Sequence, residues 1–177
     1  MAFLVRKIMH RAAFDDEALM QTELGEISSD IPTSEFRTTK STLSTWYIED
    51  LESINNAILA ILLSSSEINR TDFIIMDTDE LDKKNFTYEN TEPGVSLPIE
   101  SLESIHYDIV NLTLNKLTDC ADIYINTMNE YPDTRIFRLN KKEAKDIIKK
   151  AFQEDIIDEN RANTHMKAAL TKLKSEL

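Results

Sequence analysis

Asp77 and Asp79 stand two residues apart at the end of the apolar run Phe73-Ile74-Ile75-Met76. Carboxylates at this spacing can share a hard divalent cation such as Mg2+ through their oxygens. The carboxyl end of a buried strand is also where open α/β sheets place ligands. His106 and Asp108 form a second pair. At positions i and i+2 of a strand they share a face, so the carboxylate can orient the imidazole for acid–base chemistry. Arg37, Lys40, Ser41 and Ser44 form a third set. There, cationic groups beside hydroxyls suit a phosphate or carboxylate, as in nucleotide binding.

Each set also has a simpler reading. The Asp-x-Asp strand end is similar to the haloacid-dehalogenase phosphatases, whose strand ends in Asp-x-Asp-Gly-Thr. Here Glu80 and Leu81 replace the Gly and Thr, and the strand falls mid-chain. The short Asp-x-Asp motif of glycosyltransferases is similar too, but no nucleotide-binding module precedes it. With 32 acids in the chain such a pair arises readily by chance, and a solvated acidic strand end is expected. No Ser or Cys beside His106 and Asp108 completes a triad, so the pair is expected on a solvent face. Arg37 followed by a Ser-Thr-Ser-like strand loosely resembles the NAD-binding strands of ADP-ribosyltransferases, without their diagnostic acid. A polar edge strand accounts for the same residues.

Composition narrows the classes. The chain has 177 residues, two of them glycines. Two glycines cannot build a Walker or Rossmann phosphate loop, whose close backbone approach requires residues without a Cβ. Their scarcity also argues against tight primed hairpins. Cys120 is the sole cysteine, so no intrachain disulfide forms and no thiolate zinc site is available. It lies in an apolar helical pattern and is expected to be buried and inert. Apolar runs are too short to cross a membrane, and a cytoplasmic protein is expected. The net charge of −12 repels phosphate backbones, which disfavours nucleic acid as a partner, and favours capture by basic protein surfaces.

Periodicity supplies the elements that must position these residues. Strands are predicted over 2–8, 42–50, 72–77, 105–112 and 135–139. Helices are predicted over 14–24, 51–64 and 114–130, and after Asn140 over 141–153, where Asn140 and Glu143 have capping-box spacing. A final helix is predicted over 158–175. Residues 27–35 read as a loop, and 78–104 as a long loop without periodicity. The order suggests an α+β or α/β core of about residues 1–139. In it a mixed sheet of about four or five strands is flanked by helices that permit parallel crossovers. A helical hairpin follows over 140–177. Its lysine-bearing first helix, KKEAKDIIKKAF, reads as a solvated face and not as a DNA-recognition helix.

The expectation is therefore a non-catalytic acidic interaction protein: an accessory subunit, or an antitoxin- or immunity-like partner that binds another protein stoichiometrically. Self-association through the C-terminal helices is the variant of this reading. The final helix and the loop 83–104 are the candidate contacts. No cofactor is called for. The alternative is a small Mg2+-dependent or nucleotide-using enzyme with Asp77 and Asp79, or the Arg37–Ser44 segment, at its site.

Overall fold

The computed structural model describes residues 2–9 and 34–177. The helix expected over 14–24 and most of the loop expected over 27–35 lie outside them. The described chain runs β1 (Phe3–Ile8), β2 (Leu43–Ile48), a 3-10 turn (Leu51–Ser53), α1 (Ile54–Ser64), β3 (Thr71–Asp77), α2 (Thr78–Lys83) and β4 (Thr87–Asn90). A second 3-10 turn (Glu100–Ile105), β5 (His106–Val110), α3 (Leu114–Glu130), β6 (Ile136–Leu139), α4 (Lys141–Gln153) and α5 (Thr164–Lys174) complete it.

The class is α+β. The sheet has six strands in the order β4-β5-β2-β1-β3-β6, one more than the upper expectation. Every neighbouring pair is antiparallel. The parallel crossovers suggested by the helices do exist, but between strands that do not touch. β2 and β3 are both antiparallel to β1, which lies between them, so α1 links two strands of the same direction across it. By the same reasoning α3 carries the chain from β5 to a parallel β6 beyond three intervening strands. Its 17 residues give the length that this crossing requires.

Alternation along the strands sorts the core into two layers. Phe3, Val5, Trp46, Phe73 and Ile75 pack with Ile58, Ile61 and Leu62 of α1 and with α4 and α5. Leu4, Leu43, Ile74, Met76 and Ile109 pack on the other face with Cys120, Ala121 and Tyr124 of α3. All seven residues of β3 are buried, which is what its unbroken apolar run predicts.

Local signals place several elements. Asp50 Oδ1 accepts a hydrogen bond from Ser53 N at 3.0 Å and opens the turn into α1. Asn140 and Glu143 form the reciprocal capping box that starts α4. Leu114, the first residue of α3, is 76% exposed because it precedes the part that meets the sheet. The final helix starts at Thr164 and not near 158.

Three differences bear on function. The stretch 78–104 is not a structureless loop, since it holds α2, β4 and the second 3-10 turn. The strand TYEN owes its form to pairing with β5 and carries no hydrophobic pattern of its own. A tight two-residue turn also forms without glycine: Thr42 N donates to Thr39 O at 3.1 Å, with Lys40 at φ 54° and Ser41 at φ 60°. Finally, the apolar stripe of α5 is not free. Met166, Leu170 and Leu173 are buried in the same cluster as the sheet and α4, each worth about 2–3 kcal/mol of burial. An external partner meets only the polar face of that helix. Among the described residues no helix is long and apolar enough to cross a membrane.

Candidate functional site

β2, β5 and β4 form one flank of the sheet, and several of the sequence-predicted residues converge there. Ser44 lies opposite Asp108, and Trp46 opposite His106. Ser44 Oγ donates to Asp108 Oδ1 at 3.0 Å, and Thr91 Oγ1 donates to Asp108 Oδ2 at 3.0 Å. His106 Nδ1 lies 3.1 Å from Thr91 O and 2.9 Å from Thr91 Oγ1. A carbonyl only accepts, so Nδ1 carries the proton. His106 thus donates to Thr91, whose hydroxyl passes its own proton toward Asp108.

The pair does share a face, as predicted, but only Asp108 is partly exposed to solvent. His106 is 3% exposed, with its ring edge-on to Trp46 at 4.9 Å. It does not bond Asp108 directly. Thr91, just past β4, intervenes, and Ser44 points at the carboxylate and not at the imidazole. This arrangement orients side chains and ties β4 to β5 and β2. Asn90 reinforces it, donating from Nδ2 to Ser104 O at 2.8 Å and to His106 O at 3.1 Å.

The opposite face of the same flank carries a row of half-buried tyrosines. Tyr47 stacks on Tyr107 at 5.0 Å, and Tyr88 lies 6.5 Å from Tyr107. Burial and the neighbouring Asp82 carboxylate hold the Tyr88 phenol above its ordinary pKa. β4 ends the sheet and is largely exposed. Beyond it opens a cleft of about 490 Å³ lined by Asn90, Thr91, Glu92, Ser96, Glu103 and Ser104. Residues 85–115 include five carboxylates (Glu89, Glu92, Glu100, Glu103 and Asp108) and no Lys or Arg. Cations reach this region from elsewhere, Lys116 over the Phe86 ring at 4.7 Å and Arg161 at the cleft. Arg161 donates to Leu97 O at 3.1 Å and to Glu103 Oε1 at 3.0 Å, and lies 3.4 Å from Glu100.

The Asp77–Asp79 strand end is built differently. Asp77 is 5% exposed. Its Oδ1 accepts from Asp79 N at 2.9 Å, capping α2. Its Oδ2 lies 3.4 Å from Arg135 Nη2. Arg135 in turn sits 4.1 Å above the Tyr131 ring and 5.3 Å from that of Phe3. Asp79 is exposed in the first turn of α2. Asp77 is therefore neither solvated, as expected of the strand end, nor paired with Asp79. Glu80 completes the group: burial first, then the Asp77 charge, raise its carboxyl pKa. Among the described residues no group of three or more His, Cys, Asp or Glu is arranged to hold a metal ion.

The Arg37–Ser44 set does not converge. Arg37 and Lys40 are exposed and Lys40 occupies the tight turn, while Ser41 O accepts from Leu112 N at 3.0 Å. Only Ser44 reaches the flank described above. Cys120 is 1% exposed, and burial pushes its thiol up to about 12, as an inert core cysteine requires. Residues that sequence reasoning passed over include Thr91, the tyrosine row and Arg161. The one-sided charge of residues 85–115 was the readable signal. No family model, no curated protein and no solved structure matches the chain.

Proposed function

We propose that this protein works by stoichiometric binding of another protein, one that presents a basic surface to the β4–β5 flank. The supporting observation is the placement of residues 85–115, an acidic segment free of Lys and Arg, at the end of the sheet beyond which no other described strand pairs. Like charges gathered on one surface repel one another, so a basic surface relieves that repulsion and is also drawn in over distance. Half-buried Tyr47, Tyr88 and Tyr107 add large, amphipathic contact area of the kind enriched at interface centres. The network of Ser44, Asp108, Thr91 and buried His106 serves this reading by holding the three strands together.

The test is native mass spectrometry of the protein isolated from its own cells, followed by salt titration of any complex found. The expected result is a second protein at fixed stoichiometry whose affinity falls steeply with ionic strength. A salt-insensitive complex, or turnover of a small substrate that Asp108→Asn abolishes in a folded variant, overturns the reading.

A further inference from the structure

Two neighbours share the β4–β5 ladder unequally. Thr91 N donates to His106 O at 3.1 Å, which makes Thr91 and His106 a hydrogen-bonded pair of the antiparallel register. Pairs of this kind recur every second residue, so Glu89–Asp108 and Thr87–Val110 are the others. The backbone N–H and C=O groups of Tyr88 and Asn90 then point away from β5. Among the described residues β4 ends the sheet, so no described strand receives them. Edges of natural sheets are commonly guarded by Lys or Pro. β4 has neither, although it is short. Its side chains also differ by face: Tyr88 leans toward Tyr107, while Glu89 lies on the Asp108 side. At the end of the strand the edge runs into the cleft where exposed Glu92 stands near Glu103.

We infer that β4 is a docking edge for an extended, basic segment of a partner protein. That segment adds a strand by bonding the backbone of Tyr88 and Asn90 and places a Lys or Arg beside Glu92 at the mouth of the cleft, whose Glu103 is already held by Arg161. The inference rests on the reading proposed above and specifies its mode. Backbone pairing supplies register, alternate apolar side chains lie along Tyr88 and Tyr107, an alternate cation meets Glu89, and the end of the segment reaches Glu92 past the strand. Charge selects the occupant. A second β4 would set Glu89 and Glu92 against their own copies, whereas a basic strand neutralises them.

The probe is a synthetic peptide of alternating Arg and Val, titrated into the whole chain and followed by amide NMR. The expected result is saturable shifts at the Tyr88 and Asn90 amides. N-methylation of alternate peptide bonds should abolish them, and exposed Glu92→Lys should weaken binding about five- to tenfold. Equal binding of the N-methylated peptide overturns the edge and leaves the basic-partner reading standing, because charge alone then carries the contact. Shifts centred on α4 and α5, or no binding at all, overturn the edge as well. Concentration-dependent shifts at Tyr88 and Asn90 without peptide assign the edge to a second copy and overturn the proposed occupant. In each of these outcomes the salt titration of the native complex decides the broader reading independently.

Discussion

Arg135 Nη2 lies 3.4 Å from Asp77 Oδ2, and both side chains are almost wholly removed from water. The carboxylate that ends β3 is engaged twice, by this guanidinium and by the amide of Asp79. Asp77→Asn preserves the cap and removes the charge, leaving Arg135 without its anion. The expected cost is about 2–3 kcal/mol, read as a drop in thermal midpoint of the same size in Mg2+ and in EDTA. A loss seen only with Mg2+ present would return Asp77 to metal chemistry.

Glu80 carries a pH dependence whose sign follows from its surroundings. Burial and the Asp77 charge raise its carboxyl above the ordinary value of 4.5. Between that value and the raised one, the folded protein holds a proton that the unfolded chain has released. Stability contributed by Glu80 therefore falls as pH rises through that window. Glu80→Gln should flatten this part of the curve and stabilise the protein at neutral pH. Urea midpoints measured from acid to neutral pH check it, and an unchanged slope would remove Glu80 as the cause.

Arg161 fastens the linker between α4 and α5 to residues 97–103 through three diverging contacts. Arg161→Ala should cost about 1–2 kcal/mol and speed amide exchange at Leu97 and its neighbours. Arg161→Lys should recover only part of that, since an ammonium lacks the planar fork that reaches a carbonyl and two carboxylates together. Full recovery would reduce the role to simple charge.

The Lys40–Ser41 turn holds two non-glycine residues at positive φ, 54° and 60°. Replacing them with the pair favoured by such turns, Lys40→Asn with Ser41→Gly, should stabilise the protein by about 1 kcal/mol. Chemical denaturation measures the change. Destabilisation would mean that the native side chains contribute more than the backbone strain removes.

Cys120 should resist thiol reagents in the folded protein and react only as fast as the chain opens. Its sulfur is buried and its thiol pushed up to about 12, which leaves almost no thiolate. Reaction at the rate of a free thiol would overturn the placement of α3 against the sheet.

Elements whose identity rests on local periodicity were readable directly. β3 is buried along its whole length, α4 begins at its capping box, and the apolar stripe of α5 is where the spacing places it. The strand predicted over 42–50 is there as β2, with Trp46 and Ile48 packed on one face and Leu43 and Tyr47 on the other. The candidate site was only partly readable. His106 and Asp108 do share a face, but Thr91 between them comes from the stretch just past β4, 15 residues from His106. Trp46, which shields the imidazole, comes from a third strand. β4 escaped notice because a four-residue polar edge strand has no hydrophobic period to detect.

By itself the sequence determined a sheet flanked by helices, with α+β and α/β both open, the burial of β3, the helix start marked by Asn140, and the acidic balance. These depend on neighbours within a turn or two of the chain, where propensity, capping and periodicity act. Tertiary structure decided that all adjacent strands are antiparallel, that Arg135 and not a second carboxylate meets Asp77, and that α5 folds onto its own core. It also decided that Glu89 lies on a strand at the end of the described sheet, with Glu92 and Glu103 lining the cleft beyond it. Those outcomes depend on which distant segments come together, and the pairing of β1 between β2 and β3 is settled by long-range burial that no local window of sequence contains.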